Sequence, residues 1–145
     1  WLRGRRLKIL LYYIGKPRDA NANRIAGEYI KRTQRYAKCE MREIHPERAA
    51  IWTRHSGAMK ILLDPGGKPM DSAAFAALLA RHEMEGRDLL FVVGGADGFP
   101  AGWKAQADLL LSLSKMTWPH ELARAMLAEQ IYRAVTTLRG HPYPR

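Results

Sequence analysis

Nothing in this chain can close a disulfide on itself, because Cys39 is the one cysteine among its 145 residues. That excludes a disulfide-framed fold and predicts a reducing compartment, the cytoplasm. The thiol itself reads as a bland side chain rather than a nucleophile. No apolar run approaches the roughly 20 residues that a membrane helix needs, so no membrane partner is expected. The opening "WLRGRRLKILLYYIG" is basic and then apolar, but it has no small-residue cleavage site. Its apolar part reads as a first strand rather than a leader. His45, His55, His82, His120 and His141 show no metal-ligand spacing and have no cysteine partners, so no metal is expected. A Gly-x-Ser-x-Gly elbow is absent and no carboxylate pair stands out, which leaves hydrolytic chemistry with little support. Internal repeats, low-complexity tracts and evident linkers are missing too, and the length suits one domain, residues 1–145.

Acidic residues are the other shortage: 14 Asp+Glu stand against 24 Lys+Arg, for a net charge of +10. The deficit is uneven. Residues 1–58 hold 14 Lys+Arg and 5 Asp+Glu, whereas residues 59–145 hold 10 and 9. A solvated basic surface accounts for the total, but the asymmetry points to a polyanion-binding face on the N-terminal half.

Apolar runs predict strands at 8–14, 40–44, 59–63, 89–93 and 109–113. Helical patterns lie between them. Over 19–37, Ile25, Tyr29 and Tyr36 share one face, while Arg24, Lys31, Arg35 and Lys38 share another. A helix over about 71–85 has Asp71 to cap it and Gly86 to end it. Short helices are expected over 46–56 and after Pro100. A last helix runs from about Pro119 to Leu138, with Gly140 just past its end. The alternation predicts an α/β domain with a mostly parallel sheet flanked by helices. Ligands then belong beyond the carboxyl ends of the strands, where "LDPGGKPMD", "GGADGFP" and "SKMTWP" converge.

The stretch "FVVGGADGFP" runs a strand straight into Gly94 and Gly95, a place where backbone can approach a ligand closely. It is neither a P-loop nor a dinucleotide fingerprint. In the last helix, Ala123, Leu127, Ile131, Ala134 and Leu138 form one stripe, with Leu122 and Met126 off it. A helix apolar on two sides is buried between layers or between subunits, so a homodimer is expected. His120 and Arg124, one turn apart at the start of that helix, predict an electropositive corner for a phosphate or a base edge. Arg133, His141 and Tyr143 gather near the helix and its extended tail.

"LDPGGKPMDS", "GRDLLFVVGGADGF", "LSLSKMTWPHELARAMLAEQIYRA" and "HPY" occur here in that order. On these motifs, dense over about 59–145 and looser before, the chain resembles the RlmH-type large-subunit rRNA methyltransferases of the SPOUT superfamily. The resemblance implies a C-terminal deep trefoil knot over about 88–145, a homodimer, and S-adenosylmethionine as cofactor. It implies methyl transfer to N3 of a pseudouridine in large-subunit rRNA of assembled ribosomes. It places the cofactor against Leu63, Gly95, Ser114, Lys115, Met116, Thr117, Trp118 and Pro119, with the glycines making room for it. It gives His120, Arg124, His141 and Tyr143 to the reaction: the first two to position the nucleotide, the last two to close over it. The chain departs from the family's usual Asn-His-Pro-Tyr-His-Arg ending at Gly140 and Pro144, and its 45–58 segment is short. Those departures leave open a knotted methyltransferase with another RNA target, or a ribosome-binding protein without catalysis.

Overall fold

The computed structural model describes residues 7–143. Arg3, Arg5 and Arg6 of the basic N-terminal half, and Pro144 and Arg145 of the tail, therefore lie outside the described residues. The run KILLYYI forms β1 (Lys8–Ile14), with Ile9 through Tyr13 all buried. Continuous burial is what a central parallel strand needs, because both of its faces are covered. β2 (Lys38–Ile44), β3 (Met59–Pro69), β4 (Leu89–Val93) and β5 (Leu109–Ser112) join it in one sheet of order β2-β1-β4-β3-β5. Every pairing is parallel.

Helices cover both faces, but unequally. On one face Ile9, Leu11, Ile61 and Phe91 meet the three long helices, α1 (Ala20–Thr33), α4 (Ser72–Glu85) and α6 (His120–Leu138). On the other, Leu10, Tyr12, Leu62, Leu90 and Val92 pack with Ile51 and Trp103, from the four-residue turns α3 (Ile51–Arg54) and α5 (Trp103–Gln106), and with Ala58. A third such turn, α2 (Pro46–Ala49), precedes α3. The side chain of Asp71 caps α4 by accepting from the Ala74 N–H at 2.7 Å, and Gly86 ends the helix at φ 68°. Both ends are where the sequence puts them.

Four expectations are corrected or refined. The predicted short helix over 46–56 is two turns, broken where Ala50 adopts φ 48°. α1 stops at Thr33 because β2 begins at Lys38, earlier than the apolar residues alone indicate. Ile25 does not face the core. It is 47% exposed, and the buried row of α1 is Ala22, Ala26, Ile30 and Thr33. The small alanines let α1 lie close to α6, and the tyrosines flank that contact, with Tyr29 and Tyr132 5.8 Å apart. Finally, β3 continues to Pro69, so most of "LDPGGKPMD" is strand rather than loop. Its path presses on β5: a Cβ at Gly67 would lie 2.5 Å from the Leu110 carbonyl oxygen.

Candidate active site

The loops leaving β4 and β5, together with the middle of β3, enclose a pocket of about 180 Å³. Leu63, Gly95, Ser114, Met116 and Trp118 line it, and so does His120 in the first turn of α6. Lys115, Thr117 and Pro119 belong to the same loop but lie outside the lining. Two serines fix this loop's shape. Ser112 Oγ lies 3.1 Å from the Pro65 carbonyl oxygen and 2.9 Å from that of Ser114, and the Met116 N–H donates to Ser114 Oγ at 3.1 Å.

The glycine pair admits protein before it admits any ligand. A Cβ on Gly95 would sit 2.9 Å from the Ile14 carbonyl oxygen, and one on Gly94 would sit 3.1 Å from the Gly98 carbonyl oxygen. Gly95 and Gly98 close on each other through two backbone hydrogen bonds of 3.3 and 3.0 Å. This tight turn leaves backbone groups at the pocket wall, where side chains would otherwise fill the space. Sequence reasoning gave no role to Asp64, Phe99 or Lys104, which also line the pocket. Lys104 Nζ meets Asp64 Oδ1 at 3.0 Å across the mouth. The acid and base lie 40 positions apart in sequence, and no local pattern pairs them.

Arg124 does not share a surface corner with His120. It is 1% exposed, with its guanidinium 3.6 Å from the Tyr13 ring centroid. Nη1 donates to Asn23 Oδ1 at 2.8 Å, and Nη2 lies 3.6 Å from Glu121 Oε1. Burial pulls its pKa below the ordinary value, against Tyr13 and Glu121, which support the charge. Glu121 in turn accepts from the Arg18 and Asp19 backbone N–H groups and from the Asn23 side chain. These donors, with the Arg124 charge, hold its pKa down at about 2. The cluster therefore pins the pocket end of α6 to β1 and α1.

The tail lies elsewhere. Tyr143 Oη donates to Glu129 Oε2 at 2.6 Å and its ring packs 4.7 Å from that of Tyr132. His141 rests against Tyr36 at 5.8 Å. An α-helix rises about 1.5 Å per residue, so Glu129 is roughly 13 Å along α6 from His120. One chain does not bring His141 and Tyr143 to its own pocket. Cys39 is buried, which pushes its thiol up to about 12, far from a nucleophile's range. Among the described residues no cluster of His, Cys, Asp or Glu is arranged to hold a metal ion.

Comparison with known proteins gives this geometry a context. The family described as "Predicted SPOUT methyltransferase" matches residues 7–144. The Ribosomal RNA large subunit methyltransferase H of Solibacter usitatus is 66% identical over 139 residues, covering 96% of this chain and all of that one. Its namesake from Rhizobium meliloti is 38% identical, covering 96% and 99%. Among solved structures, a probable methyltransferase from Bordetella pertussis superposes with a TM-score of 0.60 at 11% identity, covering 89% of this chain and 95% of that one. The SpoU methyltransferase AviRb from Streptomyces viridochromogenes, solved with AdoMet, gives 0.52 at 13% identity, covering 92% and 62%. At such identities the likeness is one of fold.

Proposed function

This chain belongs to the SPOUT methyltransferase family, and we infer that it is an S-adenosylmethionine-dependent methyltransferase of large-subunit rRNA, acting on N3 of a pseudouridine in assembled ribosomes. The observation that carries the reading is convergence. Of the eight residues that the family resemblance assigns to the cofactor, Leu63, Gly95, Ser114, Met116 and Trp118 line one pocket at the carboxyl edge of a parallel sheet.

The lining fits the cofactor's chemistry. Leu63, Phe99 and Trp118 offer apolar walls, and the Gly94–Gly98 turn and Ser114 loop offer backbone donors and acceptors for an adenine edge. When bound, S-adenosylmethionine supplies a methyl group on a sulfonium, which asks for an in-line nucleophile and little acid–base machinery. His120 stands at the pocket wall in the first turn of α6, where the helix end adds partial positive charge. That field favours the deprotonated imide of the target base. Arg124 acts as a positioning residue: it holds the α6 end in place through Tyr13, Asn23 and Glu121 and is buried away from solvent.

His141 and Tyr143 reach a pocket only if a second chain brings them. The exposed apolar side chains Met116 (75%), Leu122 (45%) and Met126 (44%), beside the pocket loop and on the first turns of α6, are the face on which the homodimer would form. The knot belongs to this same reading: the segment from about 88 to 145 supplies β4, β5, the pocket loop and α6. No helix of the described residues is long and apolar enough to cross a membrane, and from the ribosomal substrate we infer a cytoplasmic protein.

The test is to incubate the protein with methyl-labelled S-adenosylmethionine and ribosomes lacking the modification, then map the label. Label on one large-subunit pseudouridine is expected. Label in another RNA, or none beside an active control enzyme, would overturn the assignment.

A further inference from the structure

A second concavity, of about 490 Å³, opens on the sheet face that carries only short helical turns. It shares no lining residue with the pocket at the carboxyl edge. Leu10, Tyr12 and Ile44 form its floor, and α2 and α3 stand beside it. Its charge is one-sided: Lys8, Arg42, Arg48 and Arg54 stand against one acid, Glu40, which Arg42 already engages. Lys8, Arg48 and Arg54 are exposed and form no ion pair among the described residues. Unneutralised cations around a concave, low-dielectric floor focus a positive potential. His55, whose Nε2 lies 3.4 Å from Tyr12 Oη at the edge of the basin, registers it: burial first, then Lys8, Arg54 and Lys60, push its pKa down.

The backbone is shaped to gather these cations. In an unbroken helix, residues six apart would stand about 120° apart around the axis. Ala50, held at φ 48°, breaks the helix, and Arg48 and Arg54 line the same basin. A left-handed alanine costs about 1 kcal/mol, a strain that tends to persist where geometry serves a site.

We propose that this basin binds the phosphate backbone of the substrate RNA, with Arg48, Arg54 and Lys8 making the contacts. The proposal rests on the RNA-methyltransferase reading above. Planar guanidinium forks match phosphate oxygens in pairs, and the Tyr12–His55 pair adds a polar edge suited to ribose oxygens. The first pocket borders the apolar cluster that lies under this basin. Phe99 of that pocket stacks on Trp103, 6.4 Å between rings, and Trp103 meets Trp52 of α3 edge-on at 5.7 Å. A nucleic-acid strand spanning that cluster presents phosphates to the basin while one base enters the pocket.

The test is the double variant Arg48→Gln/Arg54→Gln, whose side chains are exposed and form no ion pair among the described residues. Affinity for an rRNA fragment and for ribosomes is measured across salt concentrations, and S-adenosylmethionine binding by calorimetry. Loss of two phosphate contacts should lower the slope of log affinity against log salt by about 1.5 and weaken RNA binding about 10-fold at 0.1 M salt. Cofactor affinity should not change. A control, Lys31→Gln/Arg35→Gln, removes two exposed charges at the end of α1, on the other sheet face, and should have a far smaller effect. A wild-type slope in the basin variant, or an equal loss in the control, overturns the proposal while ribosome methylation by wild type keeps the enzyme reading intact. Binding of inorganic phosphate with RNA affinity unmoved by the substitutions assigns the basin to a free anion and overturns it as well. A wild type that neither binds nor methylates RNA overturns both readings together.

Discussion

The guanidinium of Arg124 shows how far a residue's place can differ from what its neighbours in sequence indicate. At i and i+4 with His120 it looks like half of a surface pair, yet its partners are Tyr13 and Asn23, more than 100 positions away. Such burial is invisible locally, because nothing in "PHELAR" marks which side of the helix is covered. Arg124→Met should therefore act on stability: it leaves Asn23 and Glu121 without their cation and should cost about 3 kcal/mol. Arg124→Lys should recover little, since lysine has no planar fork. Urea unfolding beside kcat measurements distinguishes the roles. Lost turnover with unchanged stability would place Arg124 on the nucleotide instead. Glu121 gives a pH signature. Its folded pKa, about 2, lies below the ordinary 4.5, so its contribution to stability is complete above about pH 4.5 and disappears as pH falls toward 2. The Tm difference between wild type and Glu121→Gln should shrink over that window. A gap that stays constant from pH 5 to 2 would contradict it.

Elements were the most legible level. Continuous apolar runs marked β1 and β4 to the residue, and Asp71 and Gly86 bounded α4, because caps and buried strands are local facts. The face of α1 was not legible: Ile25 and Tyr29 outrank alanine in hydrophobicity, but close approach to α6 selects the small Ala22 and Ala26. Part of the pocket lining could be read from motifs, whereas the Asp64–Lys104 pair is set by how β3 and α5 meet. The same logic separates two glycines. Gly27, inside α1, has open space where a Cβ would stand, with nothing within 4 Å, so Gly27→Ala should stabilise the fold by about 0.5–1 kcal/mol. Gly95→Ala drives a methyl toward the Ile14 carbonyl and should cost about 1–3 kcal/mol while weakening cofactor binding. Thermal melts and calorimetry on the two variants decide this, and equal, neutral outcomes would refute the crowding argument.

At the scale of the whole molecule, the apolar residues that α6 leaves exposed become the issue. Leu122→Asp/Met126→Asp changes only exposed side chains, so the fold should survive, and sedimentation should show a monomer that binds cofactor but no longer transfers methyl. A monomer with full activity would remove the need for a second chain's tail. The strand order has a consequence of another kind, for the nascent chain. β4 separates β1 from β3, so β1α1β2 leaves the ribosome with one edge of its most buried strand still unpaired. Ile9 and Leu11, buried at the centre of the finished protein, must wait for residues 89–93 to be synthesised, and for α6 to cover them after that. Parallel pairing over such separations is slow and exposes apolar edges in the meantime. This protein's window of aggregation risk therefore falls during its own translation, and it closes only as the last helix emerges.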